Sequence, residues 1–374
     1  MNFTVTTENL LAGLNRVKNA VSTKPVIPIL NNILMDAKGD QLVLTAYDTE
    51  LRIQTTVPAL VTEEGSITLQ AKKFCELVGA LPAADVVISN TEDEPEAVKI
   101  ACKRIKYKMH GISADAFPEA EAFLEDWCFS ISGKELVDSL SKVDYARSDE
   151  ESRKALSGVL FSIRSGMRTV AATDGRRLAL VEKSIDANAD GSAAPTRDGE
   201  FILPVKVVKE LKRSIDQSKP VTIHLTNSMA VFEAGPTSIM SKLVEQSYPN
   251  YRSAIPVNFA NTVTIPRVAF ADSLKRVRIM IAESGDNSGI IKLDIADNQL
   301  TFSAMSAEYG DAAEPIDVEM AGEPISIAFN PQFLADPIAA LDCEQFVLKY
   351  NDALTSALIT GDPGFIYILM PMRG

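Results

Sequence analysis

Three helical signatures recur along the chain at nearly constant intervals, and this repetition constrains the fold more than any other feature. Leu10, Leu14 and Val17 stand at i, i+4 and i+7, as do Leu136, Leu140 and Val143, and again Phe270, Leu274 and Val277. Each triplet puts three apolar side chains on one helix face, which predicts amphipathic helices over 6–21, 132–146 and 266–280. A second helix recurs in the pairs Phe74/Val78, Val207/Leu211 and Leu334/Ile338. Pro204 and Pro331 suit the first turn of the later two copies, whereas Pro337, inside the last one, predicts a kink or an end. Between the helices lie β-rich runs that also align: Gln41–Ala46, Met167–Ala172 and Gln299–Ala304. Asp48 and Asp174-Gly175 follow the first two and suit hairpin turns, and Leu178–Val181 reads as a return strand. Aromatic-proline corners close the first two copies at Phe117-Pro118 and Tyr248-Pro249, and the polar stretch 184–199 reads as an exposed loop.

A chain of 374 residues is too long for one ordinary core. The repeat resolves it into three tandem α+β domains, 1–124, 125–258 and 259–374, each with two helices packed on β-sheets.

Catalytic signatures are scarce. The two histidines are His110 and His224, and any His-based zinc site or Ser-His-Asp triad would have to rest on them; neither lies in such a motif. A phosphate-binding loop is missing, and Ser139-Leu140-Ser141-Lys142 fits S-x-x-K without the companion motifs. The expectation is a chain that is not an enzyme, with no cofactor and no metal. Cys75, Cys102, Cys128 and Cys343 are too scattered for a disulfide framework and read as buried free thiols of a reducing compartment. The amino terminus shows no signal-peptide pattern, and the expected location is the cytoplasm.

Net charge is −13, which taken alone argues against nucleic acid. Its distribution argues otherwise. Segment 203–219 carries Lys206, Lys209, Lys212, Arg213 and Lys219 against Glu210 and Asp216, and segment 266–278 carries Arg267, Lys275, Arg276 and Arg278 against Asp272. Helical segments taken together are positive, so strands and loops hold the acidic excess. A shared helical surface would follow a phosphate backbone without reading bases.

Four stretches then point to one family: Lys24-Pro25-Val26-Ile27-Pro28-Ile29-Leu30, Ala172-Thr173-Asp174-Gly175-Arg176-Arg177-Leu178-Ala179, Tyr248-Pro249-Asn250-Tyr251-Arg252 and Met370-Pro371-Met372-Arg373. On a threefold repeat, in this order, they resemble the bacterial DNA polymerase III β subunit, the sliding clamp, over the whole chain. The resemblance implies a head-to-tail dimeric ring of six domains, with helices lining a hole for double-stranded DNA. It implies a processivity factor that tethers the replicative polymerase, the clamp loader and repair proteins through short linear peptides. By similarity the peptide pocket comprises Leu156, Thr173, Gly175, Arg177, Leu178, Pro249, Asn330, Phe333, Leu354, Ser356, Leu369, Met370, Pro371 and Met372. The dimer interface comprises Tyr107 and Met109 against Ile281 and Ala282, and the DNA-facing residues are Lys24, Arg153, Lys154, Lys206 and Arg278. The chain departs from the family at Ser253, Asn287 and the final Gly374, where a relative carries Arg, a relative carries Phe, and a large aliphatic residue is usual. The alternative reading is a monomeric three-domain non-catalytic binding protein.

Overall fold

One order of elements runs three times through the computed structural model, which describes all residues except 23–26, 92–93, 151, 186–192, 282–288 and 374. In the first repeat β1 (Asn2–Thr6) enters α1 (Thr7–Val17). Next come β2 (Asn32–Lys38), β3 (Gln41–Tyr47), β4 (Leu51–Pro58), β5 (Leu60–Glu63) and β6 (Gly65–Gln70). Then α2 (Ala71–Ala80) is followed by β7 (Asp85–Thr91), β8 (Glu94–Cys102) and β9 (Ile105–Ser113). The second repeat has β10 (Trp127–Ser132), α3 (Gly133–Ser141), β11 (Val159–Arg164), β12 (Met167–Thr173), β13 (Arg177–Ser184) and β14 (Gly199–Leu203). It closes with α4 (Val205–Ser214), β15 (Pro220–Leu225), β16 (Met229–Ala234) and β17 (Thr237–Lys242). The third has β18 (Asn261–Pro266), α5 (Arg267–Val277), β19 (Ile291–Ala296), β20 (Gln299–Ser306), β21 (Gly310–Asp317), β22 (Glu319–Ala321) and β23 (Ile325–Phe329). It ends with α6 (Pro331–Ala340), β24 (Gln345–Tyr350), β25 (Ala357–Thr360) and β26 (Phe365–Leu369).

The apolar periodicity is realised as burial. Leu10, Leu14, Val17, Leu136, Leu140, Val143, Phe270, Leu274 and Val277 are all in the core, as are Phe74, Val78, Val207, Leu211, Leu334 and Ile338. The first helix of each repeat is shorter than its predicted span because its last turn tightens to 3-10 geometry, at Lys18–Ala20, Asp144–Ala146 and Arg278–Met280. Pro337 does not end α6, which continues to Ala340. The ring removes the hydrogen bond that Phe333 O would have received within the helix. Tyr367 Oη donates to that carbonyl instead, at 2.8 Å, so the vacancy is filled from β26.

Among the described residues the chain packs as two units. One contains Met1–Glu135, Asp186–Arg197 and Lys209–Leu243, the other Leu136–Ile185, Asp198–Val208 and Val244–Gly374, so the central repeat is divided between them. The first unit holds a 13-stranded sheet in the order β10-β15-β16-β17-β4-β3-β2-β6-β9-β8-β7-β1-β5. The second holds a nine-stranded sheet, β14-β11-β12-β13-β26-β25-β24-β18-β22, and a four-stranded sheet, β21-β20-β19-β23. The repeats are joined edge to edge by equivalent antiparallel pairs. β17 meets β4, with Thr237 opposite Thr55 and Met240 opposite Arg52. β26 meets β13, with Leu369 opposite Arg177 and Ile368 opposite Leu178.

The repeat calls for a third such pair, between the strands equivalent to β17 and β4. These are β9 and β21. Over Ile105–His110, β9 pairs only with β8, and β21 pairs only with β20, so each leaves one edge without a strand among the described residues. The expected loop 184–199 is in part strand, since β13 runs to Ser184 and β14 begins at Gly199, while 186–192 lie outside the described residues. The thiols are free, but only Cys102 is buried; Cys75, Cys128 and Cys343 are half-buried, which corrects the expectation of four core thiols.

Phe270 anchors the third repeat, with its ring edge-on to Phe302 at 4.8 Å and to Phe346 at 5.1 Å. Phe270→Ala is expected to cost about 3–5 kcal/mol. Urea unfolding followed by circular dichroism should show the loss. Fluorescence of Trp127, the single tryptophan and a member of the other unit, should keep its midpoint.

Candidate functional site

The hairpin between β12 and β13 delivers the central side chain of the site. Asp174 Oδ1 accepts hydrogen bonds from the backbone N–H groups of Arg176 and Arg177, at 2.8 and 3.0 Å. Gly175 takes φ +90°, a conformation that side-chain-bearing residues avoid. Its N–H donates to Thr173 Oγ1 at 3.1 Å, and the Thr173 hydroxyl donates to Arg177 O at 2.6 Å. Tyr248 Oη accepts from Thr173 N at 3.0 Å, so the Tyr248-Pro249 corner is tied to the same turn.

Arg177 is the hub. Its side chain is only 10% exposed, and its guanidinium spends its donors in three directions. Nε pairs with Asp174 Oδ2 at 3.0 Å, Nη1 with Asp336 Oδ2 at 2.5 Å, and Nη2 donates to Tyr145 O at 2.6 Å. The plane lies over the Phe333 ring at 4.1 Å, a cation–π contact. Burial alone would weaken the hold of Arg177 on its proton; Tyr367, Asp336 and Asp174 outweigh it, and the group is held more firmly than usual. Asp336 is in turn bonded by Gln332 Nε2, and Gln332 Oε1 accepts from Arg278 Nη2 at 2.8 Å. A polar chain therefore runs from Arg278 through α6 to Arg177 and Phe333.

The apolar part of the site surrounds this hub. Leu178 and Leu369 are fully buried and form its floor rather than its surface. Leu178 belongs to a cluster with Leu160, Ile202, Leu358 and Ile368, against which Ala155, Tyr248 and Tyr251 pack. Leu156, Phe333, Pro371 and Met372 are half-buried, while Pro249, Leu354 and Met370 are exposed, Leu354 by 74%. Pairing of Ala357 with Leu369 brings the Leu354–Ser356 segment alongside the carboxyl-terminal strand. Met370 N donates to Arg176 O at 3.0 Å and Met372 N to Ala328 O at 2.8 Å, which straps the tail between the hairpin and β23. Asn330 caps α6 through its side-chain oxygen, bonded by the N–H groups of Gln332 and Phe333, and so fixes where Phe333 stands. The predicted groove residues all lie in the second unit.

The other predicted residues are more scattered. Arg153 reaches the hairpin instead of standing apart, with Nη1 donating to Asp174 O at 3.2 Å and Nε pairing with Glu150 at 3.0 Å. Lys154 and Lys206 are exposed, Lys206 on the outward face of α4. Arg278 is half-buried and committed to Gln332. Tyr107 and Met109 sit on β9, Tyr107 49% exposed, and Ile281 is half-buried. Ser253 donates to Asn250 O at 2.8 Å. Lys24, Ala282, Asn287 and Gly374 lie outside the described residues. Asp336, Tyr145 and Gln332, which fix Arg177, were not foreseen. A buried arginine demands acceptors, but linear spacing does not reveal that Asp336, 159 positions away, supplies one.

Three β-α-sheet-α-sheet repeats welded edge to edge, with the strands β9 and β21 left without their equivalent partner among the described residues, are the architecture of a sliding clamp. Three family models match in tandem: the DNA polymerase III beta subunit N-terminal domain over residues 1–121, its central domain over 130–250 and its C-terminal domain over 252–373. The beta sliding clamp of Synechococcus elongatus is 30% identical over 372 residues, covering 97% of both chains, and that of Caulobacter vibrioides is 30% identical over 381 residues, covering 100% of both. The crystal structure of the Bacillus subtilis DNA polymerase sliding clamp superposes with a TM-score of 0.93 at 26% identity, over 100% of this chain and 99% of that one. A Pseudomonas aeruginosa sliding clamp bound to griselimycin gives 0.92 at 27% identity, over 100% of both. The chain belongs to the DNA polymerase III β-subunit family, the bacterial β sliding clamps, and its function is that of a DNA sliding clamp.

Arg177→Met leaves Asp336 without its cation and is expected to destabilise the second unit by about 3–5 kcal/mol. Arg177→Lys keeps the charge but not the planar fork, and is expected to cost about 1–3 kcal/mol. Urea titration of both variants checks the order; equal stability of Arg177→Met and wild type would deny the hub role.

Proposed function

We propose that two copies close head to tail into a ring around duplex DNA. The ring moves along the helix without base preference and holds the replicative polymerase, the clamp loader and repair proteins through the groove around Arg177. The observation that carries this reading is the unmatched pair of edges. If β9 meets β21 of a second copy as β17 meets β4, the shared register sets Ile105–Met109 against Glu314–Gly310, with Lys108 facing Asp311. The edges are complementary in charge: Arg104, Lys106 and Lys108 on or beside β9, Glu308, Asp311 and Glu314 on or beside β21. Pairing would satisfy backbone groups that otherwise invite irregular association. Tyr107 and Met109 would meet Ile281 and Ala282 of the second copy and supply the apolar part of the contact. The domains would run over 1–124, 125–258 and 259–374, and the protein would act in the cytoplasm without catalysing a reaction.

In this ring the helices face the hole. Lys206 and Lys209, both exposed on α4, would meet phosphates, together with Lys24 and Lys154. Arg278, tied to Gln332, and Arg153, tied to the hairpin, would contribute field more than direct contact. The groove offers exposed apolar side chains from Leu354 and Met370, a buried floor and a charged hub, which suits an extended segment presenting Leu and Phe side chains. The griselimycin-bound relative supports a ligand site on this fold.

Lys108→Glu should shift the monomer–dimer equilibrium toward monomer by at least about tenfold, and Asp311→Lys added to it should restore most of the loss. Sedimentation velocity over a dilution series reads both. Additive effects of the two changes would reject the proposed register.

Wild-type protein loaded on nicked circular DNA should stay bound through gel filtration and leave when the circle is cut. Lys206→Glu with Lys209→Glu should shorten retention without changing the dimer. Deleting residues 370–374 should abolish capture of a Leu/Phe-bearing peptide and leave retention intact. Persistence on linear DNA would favour the monomeric binding-protein reading.

A further inference from the structure

Away from the groove, Glu125, Cys128 and His224 bring a carboxylate oxygen, a thiol sulfur and a ring nitrogen within 4.8 Å of one another. The topology forces this meeting. Cys128 on β10 and His224 on β15 are direct partners in the antiparallel register, so their side chains leave the same face of the sheet as cross-strand neighbours. Glu125 stands in the connection that enters β10, three positions before Cys128. His224 Nδ1 contacts Glu125 Oε2, and the Glu125 carboxylate also accepts from the Cys128 thiol.

The imidazole carries a second, independent sign. A neutral ring that gives its Nδ1 hydrogen to Glu125 leaves Nε2 as a bare acceptor. That atom is buried without a hydrogen-bond partner and faces Glu233 Oε2 at 3.4 Å. Acceptor then faces acceptor, which is unfavourable in a partly dry site. A cation on Nδ1 reverses the polarity: Nε2 carries the hydrogen and directs it at Glu233, the carboxylate–histidine–metal arrangement that orients ligating imidazoles. A doubly protonated ring would also satisfy both carboxylates, and the experiment below separates the two.

We propose that Glu125, Cys128 and His224 bind a zinc ion, with solvent as the fourth ligand. Thiolate, imidazole and carboxylate together select zinc over magnesium and calcium, which take oxygen donors. On binding, the thiol proton leaves to solvent and the metal takes the thiolate. The ion would be a clasp. The outer edge of β10 is held by backbone bonds to a loop, Ser130 N to Ala193 O and Thr196 N to Cys128 O, each 3.1 Å, and β15 is its strand neighbour. Zinc would pin β10 and the connection between the first two repeats to β15.

The test uses the full chain, stripped with a chelator and kept reduced. Cobalt(II) should give a thiolate-to-metal charge-transfer band with tetrahedral ligand-field absorption, saturating at one equivalent and abolished by zinc. Cys128→Ser should remove the charge-transfer band. His224→Gln should weaken zinc binding, by calorimetry, at least about tenfold. Cys75→Ser and Cys343→Ser should leave both unchanged, and saturating zinc should raise the melting temperature of wild type and of these two controls but not of Cys128→Ser. Circular dichroism verifies that each variant is folded; if Cys128→Ser is not, His224→Gln and the two control thiols carry the decision. Absence of a thiolate band in wild type, its survival in Cys128→Ser, or unaltered zinc affinity in His224→Gln would overturn the site.

Discussion

Edge-to-edge strand pairing is the interaction on which the rest of this structure depends. A β-strand at the border of a sheet exposes a row of N–H and C=O groups that must find partners or be shielded. The chain meets that demand twice with its own strands, β17 with β4 and β26 with β13. The same three-part order calls for a third instance, and among the described residues of one copy it is not met. What is left over are β9 and β21, the first basic and the second acidic in sequence. Closure of the proposed ring then needs no new type of contact, only the one already used, made between molecules.

Around β13 the same joint acquires a second use. The strand that receives β26 begins with Arg177, and the strand it receives ends in the tail that carries Met370 and Met372. The weld that holds the second and third repeats together therefore also builds the groove. Arg177 is affordable there because its donors go to Asp174, Asp336 and the Tyr145 carbonyl while Phe333 covers its face. A buried cation left with fewer acceptors would be costly. The proline in α6 fits the same logic: the carbonyl that it orphans belongs to Phe333, and Tyr367 of β26 satisfies it.

Much of this was legible in the linear pattern because local physics decides it. Leu10, Leu140 and Leu274 are buried as their helical spacing required, and Gln41, Met167 and Gln299 open the strands that their alternation suggested. The Asp174-Gly175 turn could be read because Asp accepts from the following N–H groups and Gly tolerates positive φ. What could not be read is what depends on distance across the fold. Leu178 and Leu369 are floor rather than lining, since the face on which a strand residue lies relative to a neighbouring repeat is settled only by register. Arg278 looked like a free cation because its amide partner Gln332 is remote in sequence, and Arg153 because a backbone acceptor such as the Asp174 carbonyl leaves no mark there. Cys128 and His224 gave no motif because their adjacency is cross-strand, between residues 96 positions apart.

The charge pattern follows from what a sliding ring must avoid. A protein that neutralises many phosphates with ordered ion pairs gains affinity, but each step along the helix must then break those pairs. In the proposed ring, exposed lysines such as Lys206 and Lys209 would interact with a phosphate at energies of the order of 1 kcal/mol or less, close to thermal energy, so exchange between neighbouring phosphates would be nearly free. Retention would then come from elsewhere, and closure of the proposed ring would supply it without any affinity for DNA. The net charge of −13 is consistent with this division: in the proposed ring the acidic excess on strands and loops would repel DNA from the outside, while a modest basic face on the helices would suffice within. A strongly basic chain would bind DNA anywhere on its surface and gain nothing from being closed. In the proposed ring, weak contacts and a closed topology are therefore a single design, and pairing of the edges at β9 and β21 would be what makes the weak contacts sufficient.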